Sequence, residues 1–155
     1  MAARIWFNTR VLCCEETPEL AAILTAAKAR VSWAPLGVAA ATQTGRWKLR
    51  QGDWANPDYP YALVEGHEVV VLRWPEGPCA AEQVRWWVSG FLHLAESARR
   101  SRVRALGFQF SCASQPLLLH SGRFLEEYLR QLELPCYSGE GEVLAQMERG
   151  LEDAH

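Results

Sequence analysis

The stretch from Ala80 to Cys112 constrains the fold most: a long amphipathic helix, AAEQVRWWVSGFLHLAESARR, a basic turn, SRVR, and an apolar strand, ALGFQFSC. Val84, Trp87, Val88, Phe91, Leu94, Ala95 and Ala98 recur at three- and four-residue spacing, which lays them on one face of a helix. That face must cover something. In the following strand Leu106, Phe108 and Phe110 alternate with Gly107 and Gln109, so a sheet offers one apolar face to receive it. The helix is expected to pack across one face of that sheet, with this pair at the centre of the core.

Upstream, Glu68 to Trp74, EVVVLRW, reads as a β-branched strand stopped by Pro75-Glu76-Gly77-Pro78, because proline cannot donate to a ladder. Arg4 to Cys14 reads as one bent strand or a hairpin about Asn8-Thr9, near the sheet centre. Thr17-Pro18-Glu19 opens a first helix with a hydroxyl cap, a proline where no donor is lost and an acid near the positive pole. Leu20, Ile23, Leu24 and Ala27 form its expected buried stripe. Val31 to Ala41, broken by Pro35 and Gly37, is expected to be mostly irregular, with strand near Ala39 to Gln43. Gly45 to Leu49 alternates as a strand, and Gly52, Asn56, Pro57, Asp58 and Pro60 predict a long surface loop. Ser121 is the expected cap of a third helix with Leu125, Tyr128, Leu129 and Leu132 buried, followed by a strand at Leu134 to Tyr137 and a helix from Glu140 to Leu151. This order mixes hairpins with helices. It predicts a single α+β domain over residues 1–155, with an antiparallel or mixed sheet of roughly four to six strands and the long helix on one face.

Composition narrows the function classes. At 155 residues, 49% hydrophobic and 22% charged with a net charge of -2, the chain is globular and carries no field suited to nucleic acid or an anionic membrane. No run approaches the roughly 20 apolar residues of a membrane span, and Asn8, Thr9 and Arg10 interrupt any signal-peptide core, so a cytoplasmic protein is expected. Five cysteines, at 13, 14, 79, 112 and 136, are an odd number without CxxC spacing. They read as small buried hydrophobes in a reducing compartment.

Motifs for chemistry are sparse. His67-Glu68 starts like a zinc-protease helix, but no second histidine follows and Val69 to Val71 demand strand. Gly139-Glu140-Gly141 lacks a third glycine, and its acids oppose an anion. The four histidines (67, 93, 120, 155) have no ligand-like spacing. Arg99, Arg100, Arg102 and Arg104 complement the negative end of the long helix. Cys112 and His120 are the least implausible nucleophile and base, against the plainer reading of Cys112 as a buried core thiol. The chain is thus expected to use no catalytic residue, metal or cofactor.

Tryptophan stands out, with seven in the chain. Trp86 turns roughly 100° away from Trp87 around the helix, in line with Ser89 and His93 and near Arg85. Either it packs beneath a neighbouring loop or the C-terminal helix, or it is exposed. In the second case Arg85, Trp86, Ser89 and His93, with Trp54, Tyr59 and Tyr61 of the loop, form a surface of the residue types that dominate protein interfaces. Its occupant would be a protein partner or a second copy of this chain.

The succession of an N-terminal strand, the Thr17-Pro18-Glu19 helix, the Gly45-Arg46-Trp47 strand, the long helix, the core strand and Phe124-Leu125-x-x-Tyr128-Leu129 running into Leu134-Pro135-Cys136-Tyr137 resembles small ferredoxin-like bacterial domains of unknown function. Several of those look like cytoplasmic immunity proteins encoded beside secreted toxins. The Trp54 to Tyr61 loop departs from that pattern. The resemblance implies a non-enzymatic immunity protein that occludes a cognate toxin. The competing class is a small enzyme or ligand-binding domain with a pocket between the long helix and the sheet.

Overall fold

The computed structural model describes residues 5–14, 18–34, 48–49, 52–54, 56–75, 79–110, 115–139 and 143–153. Its elements are β1 (Arg10–Cys14), α1 (Pro18–Ala26), β2 (Arg30–Ala34), β3 (Lys48–Leu49), α2 (Asp58–Val64), β4 (Val69–Arg73), α3 (Ala81–Arg100), β5 (Ala105–Gln109), α4 (Pro116–Arg130), β6 (Cys136–Gly139) and α5 (Val143–Asp153). The strands form one six-stranded sheet in the order β3-β2-β1-β4-β5-β6, and every pairing in it is parallel.

The expected antiparallel or mixed sheet is therefore wrong, and the class is α/β. Parallel neighbours cannot be joined by a tight hairpin. Each needs a crossover, and the crossover helices cover both faces of the sheet. The strands bear this out residue by residue. Leu12 and Cys14 of β1, Val70 and Leu72 of β4, and Leu106 and Phe108 of β5 enter one core with Trp54, Leu63, Phe91, Leu94, Leu118 and Leu125 from the α2, α3 and α4 side. Val11, Cys13, Val69, Val71 and Ala105, on the opposite face, enter a second core with Leu24 of α1 and Val143, Leu144, Met147 and Leu151 of α5. Phe108 and Phe110 lie beneath α3 and α4 as the long-helix reading requires, but the other face of the same strands is equally dry.

Several local expectations change for identifiable reasons. The chain before β1 is not a strand or hairpin: Ile5 and Trp6 sit in a helical turn, Thr9 donates its hydroxyl to the Ile5 carbonyl at 2.6 Å, and Asn8 adopts φ 58° before the strand begins. Val31 to Ala34, part of the Val31 to Ala41 stretch expected to be mostly irregular because of Pro35 and Gly37, belongs to β2 (Arg30–Ala34). The segment expected to be a surface loop forms α2 from Asp58, where Asn56 Oδ1 accepts from the Asp58 N–H at 3.0 Å. α4 starts at Pro116 and not at Ser121, using proline in its first turn. In α1, Leu24 is buried but Ile23 faces outward. The strand expected near Ala39 to Gln43, and Gly45 to Trp47, fall outside the described residues.

Candidate ligand-binding crevice

The strand order reverses direction at β1: the chain steps from β1 to β2 and β3 on one side, then returns to add β4, β5 and β6 on the other. In such sheets the crossovers diverge beyond the C-terminal ends of the two central strands, leaving a crevice where ligands bind. Here that edge is formed by the ends of β1 at Cys14, β4 at Arg73 and β5 at Gln109.

The β4 and β5 side of the edge is filled by aromatic rings. Trp74 follows β4 directly, is buried, and donates its indole N–H to the Leu118 carbonyl of α4 at 2.8 Å. Its ring meets Phe91 edge-on at 5.4 Å and Trp87 at 6.4 Å, while Phe110, just after β5, stacks on Phe108 at 5.7 Å. Gly122 of α4 makes room for this cluster, because a Cβ there would meet Trp74 at 3.0 Å and Phe110 at 3.1 Å.

Cys79, just before α3, and Gln115, just before α4, are clasped together. The Gln115 side-chain amide accepts from the Cys79 N–H at 2.8 Å and donates to the Cys79 carbonyl at 2.8 Å. One side chain thereby satisfies both backbone groups of a residue 36 positions away and joins the approach to α3 to the start of α4. Burial pushes the Cys79 thiol above its ordinary value, and the Cys136 thiol up to about 11. Both are therefore protonated at neutral pH, the wrong state for a nucleophile.

On the β1 side the sequence from the end of β1 to the start of α1 reads Cys14-Glu15-Glu16-Thr17-Pro18, with Glu19 in the first turn of α1. No Lys, Arg or His occurs between Arg10 and Lys28. Three carboxylates with no base in the sequence between Arg10 and Lys28 oppose a further negative charge. This corner is thus unfavourable for an anionic group.

The sequence-predicted contact residues separate. Trp54 is buried, its ring over Gly90 and 5.8 Å from Phe91, so it belongs to the core. Tyr59 and Tyr61 lie on α2, Tyr59 packed edge-on against Trp54 at 5.3 Å and Tyr61 against His93 at 6.1 Å. Arg85, Trp86 and Ser89 are exposed on α3, with Trp86 at 44% and His93 partly covered. Among the described residues, Leu117 and Phe124 of the adjacent α4 are also exposed. His120 is exposed on α4, whereas Cys112 lies outside the described residues. His67 precedes β4, its Nε2 2.9 Å from the Ser32 hydroxyl. Among the described residues no cluster of His, Cys, Asp or Glu is placed to hold a metal ion, and no helix is long and apolar enough to cross a membrane. Sequence reasoning missed the crevice altogether, since it exists only once parallel strand order is known; the Gln115 clasp left no signal in residue spacing.

The all-parallel sheet, its 3-2-1-4-5-6 order and helices on both faces define a Rossmann-type α/β domain. Solved structures share this architecture. The Bordetella bronchiseptica enzyme WbmH, in complex with NAD+, is similar with a TM-score of 0.68 and 11% identity over 85% of this chain and 55% of its own. UDP-glucose 4-epimerase from Brucella ovis, in complex with NAD, gives 0.64 and 14% over 84% and 50%. Uronate dehydrogenase from Agrobacterium tumefaciens gives 0.58 and 20% over 77% and 54%. The chain thus spans about half the length of these structures. No protein-family model matches it, and no curated protein does either. These likenesses overturn the ferredoxin-like resemblance and, with it, the expectation of a non-enzymatic toxin-immunity protein. The shared architecture is that of dehydrogenases and epimerases, and the physical cause of the error is the strand direction already described.

Proposed function

We propose that this chain is a small-molecule-binding domain of the dehydrogenase and epimerase type, with its ligand over the C-terminal ends of β1 and β4. The observation that carries this reading is the reversal of strand order at β1 in an all-parallel sheet, since diverging crossovers leave a crevice there whatever the chemistry of its walls. The clasp between Gln115 and Cys79 supports it by tying the start of α4 to the approach to α3 at this edge. Of the two classes weighed from sequence, this is the small enzyme or ligand-binding domain, with the pocket moved from between helix and sheet to the sheet's C-terminal edge.

The test is a thermal-shift screen of the full chain against nicotinamide dinucleotides, nucleosides, sugars and small hydroxy and keto acids, with hydrogen exchange on each stabilising compound. A ligand at about 100 times its Kd adds roughly 2.7 kcal/mol of stability, a readily measured shift. Protection is expected at backbone amides around Cys14, Trp74, Cys79 and Gln115. Protection centred on the strand starts at Arg10, Val69 and Ala105, or on the outer face of α3, would show that the crevice is not the site.

A further inference from the structure

We infer that the ligand of this crevice is not a nicotinamide dinucleotide and that no diphosphate is held between the end of β1 and the start of α1; this rests on the reading of the crevice as a ligand site. A diphosphate at this corner of a doubly wound sheet requires glycines, so that the backbone can approach it, and unencumbered N–H groups at the helix start. It also requires that no negative charge compete. The segment Cys14-Glu15-Glu16-Thr17-Pro18-Glu19-Leu20 contains no glycine, carries three carboxylates, and opens α1 on a proline, which has no N–H. The nearest basic residues in sequence are Arg10, at the start of β1 and so at the opposite edge of the sheet, and Lys28, beyond the end of α1.

A second observation is independent of the first. The ribose of a dinucleotide is engaged about 20 residues past the first turn, by an acid on its 2′-hydroxyl or by an arginine where a 2′-phosphate is present. In this chain that place is the end of β2, where Ala34 is wholly buried and is followed by Pro35-Leu36-Gly37-Val38. Neither an acid nor an arginine is present. The two ends of dinucleotide recognition fail separately, one by charge and backbone, the other by side-chain identity. Glycine is used elsewhere for packing: Gly90 lies beneath Trp54, and Gly107 against Met147 and Val143.

The experiment uses the full chain, titrated with NADH by fluorescence and with ADP and inorganic pyrophosphate by calorimetry. No saturable binding of the three is expected up to about 1 mM. NADH binding tighter than about 0.1 mM and competed by NAD+ would overturn the inference while leaving the crevice reading intact. A second chain carries E15G, E16A, T17G, P18A, E19Q, L20G and A34D, which introduces the three glycines and an acid for the ribose. NADH binding at least about tenfold tighter than in the parent is expected, a gain of roughly 1.4 kcal/mol. If this chain melts cooperatively yet binds no better, the corner is not what excludes the dinucleotide and the inference falls. If it does not fold, E15Q/E16Q/E19Q makes the comparison by charge alone: a gain of at least about threefold for ADP supports the inference and no gain overturns it. Failure of the crevice reading shows differently, as ligand protection on another surface in the exchange experiment.

Discussion

Gly107 shows how one missing side chain sets the spacing of a layer. A Cβ at this position would meet Met147 Sδ at 2.5 Å and Val143 Cγ1 at 2.7 Å, so α5 reaches the sheet only because β5 has no side chain there. Gly107→Ala is expected to lower stability by about 1–3 kcal/mol in urea unfolding, as overpacked cores do. In a Met147→Ala background the same change should cost less, because the obstructing sulfur is gone; simple additivity of the two would refute the contact. Trp86 and Trp87 give the complementary case, since adjacent positions on α3 face opposite surroundings, one 44% exposed and the other 7%. Trp87→Ala should cost about 3–5 kcal/mol as a core truncation. Trp86→Ala should cost less than about 1 kcal/mol in the same assay, and a loss equal to that of Trp87 would mean that its indole is covered.

Among the elements, the long helix was legible, whereas α2 and the direction of the strands were not. The three- and four-residue spacing between Val84 and Ala98 marks α3 whatever the sheet does, and the structure places it at Ala81–Arg100. Strand positions in the central sheet were also legible, as Val69 to Arg73 and Ala105 to Gln109 show. A parallel strand buried on both faces reads as a continuous apolar run, and VLCC in β1 and VVVL in β4 have that form. In β5, Gly107 and Gln109 imitate an alternating pattern although Gly107 is buried against α5, which is why that strand looked half-buried. The clasp at the crevice is likewise a property of elements brought together. Gln115→Ala removes two hydrogen bonds and should cost about 1–3 kcal/mol, with faster exchange at the Cys79 amide; unchanged exchange there would argue against the clasp.

At the scale of the molecule, two cores lie on either side of one sheet, and β1 with β4 forms its centre. Glu68, at the entry to β4, accepts from the Arg10 N–H at 3.0 Å and has the Arg10 guanidinium at 3.5 Å. The Arg10 backbone N–H is the largest influence holding its carboxyl below the ordinary value of 4.5; the Arg10 and Arg104 charges add to it, and partial burial opposes them. A depressed folded-state value means that the stabilisation is present above about pH 4.5 and is lost as pH falls through the lowered value. Glu68→Gln should therefore flatten the acid side of the stability profile. At neutral pH it should cost less than about 1 kcal/mol, because this side chain is a third exposed and solvent screens it. Urea titrations at pH 7 and pH 3 check this, and an equal loss at both would remove Glu68 from the account.

The amino-acid order alone determined that Ala81–Arg100 is helical, which stripe of it is buried and where the strands β4 and β5 lie. All three rest on neighbours within a few residues, where periodicity is already written. Only the tertiary structure decided that the strands run parallel, that Trp54 is core while Trp86 is surface, and that Gln115 meets Cys79. These depend on contacts between distant segments, and a strand's own residues look much the same whether its neighbour runs with it or against it.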